Sequence, residues 1–128
     1  MDYKNLMTVH SMIALLMGIA CMLAPAALLA NYGLTLSPMG LVIYQFWGAA
    51  LFGLGMLTWV FRTAKESRVK TGSSLAMAII HGINCAVAVR GQTAGANDFG
   101  WSTVALFLIL ALTFAYIRFV KLPKEETT

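Results

Sequence analysis

The stretch MGLVIYQFWGAALFGLGMLTWVF, residues 39–61, decides the fold class because it contains no charged side chain. As an α-helix it is about 35 Å long, enough to cross the roughly 30 Å hydrocarbon core of a bilayer. Three further apolar runs occur in the chain, which gives predicted spans at residues 8–30, 39–61, 73–89 and 101–120. The sequence therefore predicts an all-α membrane protein with four transmembrane helices.

The composition supports this class. Of the 128 residues, 59% are hydrophobic and 11% are charged, and the mean hydropathy is +0.77. Soluble domains carry about 25% charged residues, and a soluble chain this short could not bury so many apolar side chains. The length suits one domain, residues 1–128. We expect the first run to be retained, because it is longer than the apolar part of a signal peptide and three further runs follow it.

The charges predict the orientation. Eight of the nine Lys and Arg residues lie before the first span, between the second and third, or after the fourth. Only Arg90 lies at the other end of the spans. The positive-inside rule then places both termini and the middle loop in the cytoplasm. Short connections between neighbours predict an up-down-up-down bundle. Because the basic residues flank the spans, they indicate orientation and do not suggest nucleic acid as a partner.

Small residues four positions apart occur in every span, where they allow helix backbones to approach closely. Two interpretations remain open: these residues seal the bundle, or they meet another protomer. The predicted packing residues are Ala14, Gly18, Ala49, Gly53, Ala78, Gly82, Ala86, Ala111 and Ala115.

Pro25 interrupts the first span near its outer end. Proline has no backbone N–H, so a kink or a helix end is expected there, and the Cys21 carbonyl loses its usual partner.

No Asp, Glu, Lys or Arg lies well inside a span, which argues against a proton- or cation-coupled transporter such as a small multidrug exporter. Five other polar residues could form a layer in the outer half of the membrane if the second and third spans face each other. This layer would bind a lipid head group or quinone, or it would supply interhelical hydrogen bonds worth about 0.6 kcal/mol each. The five residues are Tyr44, Gln45, His81, Asn84 and Cys85.

No other chemistry is indicated. The chain has no catalytic motif, and neither cysteine belongs to a CxxC pair, so no catalytic or metal-binding residue is assigned. Haem bound by two histidines requires both at similar depth, whereas His10 and His81 differ by about 9 Å in predicted depth. We expect His10 at the membrane interface. No cofactor is predicted other than a bound lipid or quinone.

Two segments carry a resemblance to a known family. NYGL, residues 31–34, and YQFWGAALFGLGMLTWVFR, residues 44–62, resemble small bacterial four-helix membrane proteins of the DoxX-like kind. In those proteins a first helix ends at a proline and a turn, and a Gly- and Ala-rich second helix ends in aromatic and basic residues. The resemblance implies a four-helix fold in a bacterial inner membrane. Gln45 stands where many members have arginine, so no site residue is carried over.

Three functional hypotheses follow. The first is a structural or accessory subunit that assembles with itself or with other membrane subunits through its small-residue faces. The second is a binder or carrier of an amphipathic lipid or quinone at the polar layer around His81. The third is a small membrane redox enzyme.

Overall fold

The computed structural model describes residues 1–123, and these residues form helices and connecting turns without any strand. A π-helical segment, Ile117–Lys121, continues the last helix. The helices are α1 (Tyr3–Leu23), α2 (Pro25–Asn31), α3 (Pro38–Phe61), α4 (Ser67–Thr93) and α5 (Gly100–Tyr116).

Four helices are long and apolar enough to cross a membrane, which confirms the four predicted spans at the level of length and composition. Their limits differ from the predicted spans in two places. The first helix starts at Tyr3, and α4 extends beyond residues 73–89 at both ends. Hydropathy marks only the apolar part of a helix, whereas backbone hydrogen bonds continue into polar flanks such as Arg68 and Arg90.

The break in the first span lies where the proline predicted it. Helix α1 ends at Leu23, and Pro25 occupies the first turn of α2, where its missing N–H costs no helical hydrogen bond. A proline also opens α3, where the Ser37 hydroxyl accepts a 3.1 Å hydrogen bond from the Gly40 N–H. Proline and serine therefore fix these helix starts.

Two glycines end α2 and α4. Gly33 has φ 69°, the Gly33 N–H donates to the Ala30 carbonyl, and the Leu34 N–H donates to the Leu29 carbonyl. This is the Schellman arrangement, in which a left-handed residue lets the chain satisfy the last carbonyls of a helix. Gly95, with φ 112°, ends α4 through the same pattern of hydrogen bonds.

The chain divides into two compact units. The N-terminal unit is Lys4–Arg62, and the C-terminal unit is Thr63–Thr128 together with Met1–Tyr3.

In the N-terminal unit, α1 and α3 run antiparallel with their backbones close together. A Cβ on Gly18 would lie 2.8 Å from the Gly48 carbonyl oxygen, and one on Gly48 would lie 2.7 Å from the Cys21 Cβ. Seven residues further along α3, a Cβ on Gly55 would lie 2.9 Å from the Leu15 backbone nitrogen. We call these three glycines, Gly18, Gly48 and Gly55, the glycine seam.

In the C-terminal unit, α4 and α5 form an antiparallel pair. The Cys85 thiol lies 3.7 Å from the Val104 carbonyl oxygen, and the Gln92 amide donates to the Asn97 carbonyl in the loop. At the other end, the Tyr3 and Ser73 hydroxyls are 2.9 Å apart. Of these contacts, the one between Cys85 and Val104 sets the register of α4 against α5.

The Schellman turn at Gly33 gives a stability prediction. Gly33→Ala should lower the free energy of unfolding by about 1 kcal/mol, because a Cβ is unfavourable at positive φ. The measurement is unfolding in detergent followed by circular dichroism. Gly72→Ala is the control, since Gly72 is helical and a Cβ there meets nothing within 4 Å. Equal losses in both variants would contradict this account of the turn.

The glycine seam gives a second prediction. Gly48→Ala should cost about 2 kcal/mol by overpacking, because its Cβ would press on α1. Gly82→Ala in α4 should be neutral or stabilising in the same assay, because a Cβ there meets nothing within 4 Å. A loss of stability confined to Gly82→Ala would show that the seam is misassigned.

Candidate functional site

The five residues of the predicted polar layer lie in different units. Tyr44 and Gln45 belong to the N-terminal unit, while His81, Asn84 and Cys85 belong to the C-terminal unit.

Gln45 bonds to the backbone at the break in the first span. Its Nε2 donates a 2.8 Å hydrogen bond to the carbonyl oxygen of Met22. In an unbroken helix this carbonyl would accept from the N–H of Ala26, but no such bond crosses the break before Pro25. A carbonyl left unpaired in hydrocarbon is costly, so Gln45 stabilises the break. The side chain reaches Met22 and not Cys21, whose carbonyl the sequence had singled out.

Tyr44 lies on the neighbouring side of α3. Its hydroxyl is 3.6 Å from the Cys21 thiol, which is fully buried, and its ring centroid is 5.6 Å from that of Trp47. The thiol and the hydroxyl form a weak polar contact between α1 and α3. Both residues thus contribute to packing inside the N-terminal unit.

His81 is 2% exposed and packs against two aromatic rings of α5. The centroid distances are 5.9 Å to Phe107 and 5.8 Å to Phe114, with interplanar angles of 23° and 21°. Phe107 and Phe114 are two turns apart, about 10.5 Å along the axis, which suits one ring stacked between them. The two phenyl rings cover the faces of the imidazole, so only its edge can meet other groups.

Cys85 and Asn84 follow His81 on α4 and are both half-buried. The Cys85 thiol points to the Val104 carbonyl of α5. The C-terminal unit therefore places His81 and Cys85 against α5. The proposed ligand role of these residues stays a prediction.

A second polar cluster in the N-terminal unit was not foreseen. His10, expected at the interface, is 1% exposed, and its Nδ1 lies 3.2 Å from the Thr58 hydroxyl oxygen. The Ser11 hydroxyl donates a 2.9 Å bond to the Gly55 carbonyl. A signal was present, because His10, Ala14 and Gly18 follow one another at intervals of four and so share a face of α1.

Hydrogen bonding assigns the tautomer of His10. The Thr58 hydroxyl is 3.1 Å from the carbonyl oxygens of both Leu54 and Gly55, so its single proton is donated back to its own helix. The hydroxyl oxygen is then an acceptor, and Nδ1 of His10 carries the proton. This cluster joins α1 to α3 at one end of the glycine seam.

The predicted packing residues fall into two classes. Ala14 and Gly18 are buried, and Ala78, Ala111 and Ala115 are half-buried. Ala49, Gly53, Gly82 and Ala86 are exposed, and a Cβ on Gly53 or Gly82 would meet nothing within 4 Å.

An open groove of about 300 Å³ lies beside Gln45 in the N-terminal unit. Its other lining residues are Met22, Val42, Phe46 and Ala49. Only one hydrogen bond of the Gln45 amide is made within residues 1–123, the bond to Met22, so its Oε1 has no partner there. The groove is thus apolar with one amide on its wall.

Within residues 1–123, no three His, Cys, Asp or Glu side chains come together as a metal site would require. No family model, curated protein or solved structure matches the chain.

The role of Gln45 can be tested by a double-mutant cycle. Gln45→Leu should cost about 1 kcal/mol of unfolding free energy, because the Met22 carbonyl loses its donor. Pro25→Ala removes the break and allows Ala26 to donate to Met22. In the Pro25→Ala background, Gln45→Leu should therefore cost little. Additive losses across the four proteins would rule out this coupling.

Proposed function

We propose that this protein is a structural or accessory membrane subunit that pairs with a second copy of itself through one face of α3. One observation carries the proposal. Helix α3 carries small residues on two sides. Gly48 and Gly55 belong to the buried glycine seam, whereas Ala49 and Gly53 lie in an exposed row that no part of residues 1–123 covers. We call Val42, Phe46, Ala49, Gly53, Met56 and Val60 the open face.

The open face has the features that bring helices together in lipid. Ala49 and Gly53 are four apart and expose backbone with little side-chain bulk above it. The larger side chains above and below them, Phe46 and Val60, are 71% and 61% exposed and could interlock around the small residues. Helices associate in lipid by such close packing and by hydrogen bonds.

Gln45 adds a polar group at the edge of this face. A primary amide whose Oε1 and second N–H are unpaired can exchange two hydrogen bonds with the same amide of a second copy. A two-fold axis near Gln45 would make the contact isologous, with the same residues on both sides. This arrangement would satisfy an amide that otherwise faces lipid.

The remaining features of the proposal come from charge and from resemblance. Eight of nine Lys and Arg residues lie at one end of the spans, which supports cytoplasmic termini and an up-down-up-down bundle. Residues 31–34 and 44–62 support a bacterial inner membrane and a DoxX-like fold.

The test is the oligomeric state in mild detergent, measured by light scattering or energy transfer between labelled copies. Gly53→Leu should weaken self-association about tenfold by separating the two backbones. Ala50→Leu is the matched control, because the same side chain is placed on an exposed position outside the open face, about 60° around α3 from Gly53. A wild-type monomer, or equal effects of both variants, would refute the pairing.

The groove beside Gln45 favours a second candidate, a binder of an amphipathic lipid or quinone. The apolar lining would hold a chain, and the amide would bond to a carbonyl or hydroxyl of the ligand. His81 is not needed for this version, because the groove is lined by residues of the N-terminal unit and His81 belongs to the C-terminal unit. No observation within residues 1–123 favours the third hypothesis, a membrane redox enzyme.

Ala49→Phe distinguishes the two candidates because it fills the groove. A ligand binder would remain monomeric and would lose a small molecule that the wild type retains through purification, identified by mass spectrometry. A self-associating subunit would instead lose its dimer while its set of co-purified small molecules stays unchanged.

A further inference from the structure

Two buried hydrogen-bond donors at the basic end of the C-terminal unit have no acceptor within residues 1–123. They are the hydroxyl of Ser74, which is 0% exposed, and the Nε–H of Arg118. The neighbouring Ser73 hydroxyl lies 2.6 Å from the Val69 carbonyl oxygen, a bond within its own helix. Ser74 makes no such bond, so its hydroxyl needs a different explanation.

The register of α4 and α5 brings these donors to the same level. His81 stacks between Phe107 and Phe114, and the two helices are antiparallel. Ser74 precedes His81 by seven residues on α4. Because α5 runs in the opposite direction, Ser74 lies level with the position on α5 that is seven residues after the midpoint of Phe107 and Phe114. That position is between Ile117 and Arg118.

The two donors also lie on the sides of α4 and α5 that carry the buried residues. Ser74, Met77 and His81 form the buried row of α4, and Arg118 is four residues after the buried Phe114 of α5. The π-helical segment begins at this level, at Ile117. Single π-helical turns inside α-helices are frequent at functional sites.

The surroundings indicate an anionic acceptor. Arg118 makes no ion pair within residues 1–123, and its guanidinium lies 5.1 Å from the Phe119 ring, a cation–π contact. Lys70 lies four residues before Ser74 on α4, and Lys121 ends the π-helical segment three residues after Arg118. Several cations and an unpaired guanidinium fit a phosphate better than a neutral acceptor.

Exposed aromatic residues flank Arg118 at the basic end of the C-terminal unit. Tyr116 is 51% exposed and Phe119 is 61% exposed. Tyrosine concentrates at the interface between hydrocarbon and head groups, where its amphipathic ring is favoured. We propose that Arg118 and Ser74 bind the phosphate group of an anionic phospholipid at this end of the C-terminal unit. An inorganic phosphate carries the same acceptor oxygens and is distinguished by the test below.

The test uses the full chain in detergent, titrated with phosphatidylglycerol or phosphatidylcholine and monitored by native mass spectrometry. The wild type should retain one phosphatidylglycerol in preference to phosphatidylcholine. Arg118→Gln should weaken phosphatidylglycerol binding about tenfold, and Ser74→Ala should weaken it about threefold. Arg118→Lys should lie between wild type and Arg118→Gln, because it keeps the charge and loses the planar fork.

Arg68→Gln is the matched control, since Arg68 is exposed and the variant makes the same change in net charge at the same end. This variant should change the dissociation constant for phosphatidylglycerol less than twofold. Equal losses in Arg68→Gln and Arg118→Gln, or no preference between the two lipids, would overturn the proposal. Ser74→Ala and Arg118→Lys keep the test valid if Arg118→Gln fails to fold. Displacement of the lipid by inorganic phosphate would assign the site to the free anion, and resistance to it would assign the site to the lipid.

Discussion

The N-terminal unit depends on one constraint, which is that the carbonyl groups at the helix break need hydrogen-bond donors. The Gln45 amide supplies such a donor to the Met22 carbonyl. Hydrocarbon offers no water to a broken helix, so each backbone group released by Pro25 must be paired from within the protein. That pairing requires α3 to lie against the end of α1 at one level. One antiparallel register of α1 and α3 is consistent with this level and with the other contacts between the two helices. These are the glycine seam, the contact of Tyr44 with Cys21 and the bond of His10 to Thr58.

The polar side chains of both units follow the same rule. Ser11 donates to the Gly55 carbonyl, Thr58 returns its proton to its own helix, and Cys85 points to the Val104 carbonyl. These contacts are internal, so a polar residue inside a span need not mark a ligand site. Ser74 and Arg118 are informative because they depart from this pattern.

The number of helices and the position of the break followed from the sequence, because hydropathy and the missing N–H of proline act locally. The packing face of α3 did not. Gly48, Ala49, Gly53 and Gly55 are all small, and both sides of a lipid-embedded helix are apolar, so composition does not distinguish the buried side from the exposed one. Burial of His10 was missed for a related reason, since its partner Thr58 lies far away in sequence.

In the candidate sites, the sequence likewise predicted some of the residues and none of their partners. Sequence alone selected Gln45 and His81 as polar groups at depth, but not the groups that would face them. The partner of Gln45 is a backbone carbonyl, and the partners of His81 are phenyl rings, and neither kind of partner has a sequence signature of its own. Only a known register between helices could have supplied them.

The π-helical segment Ile117–Lys121 has a consequence for how the chain tolerates length changes. A π-helical turn contains one residue more than the α-helical turn it replaces. Deleting a single residue within 117–121 can therefore be absorbed by reversion to an ordinary helix, with α5 unchanged before it. Because the shortened turn still completes one revolution, the residues beyond the deletion would keep the direction that they face now, and the buried Leu122 would stay buried.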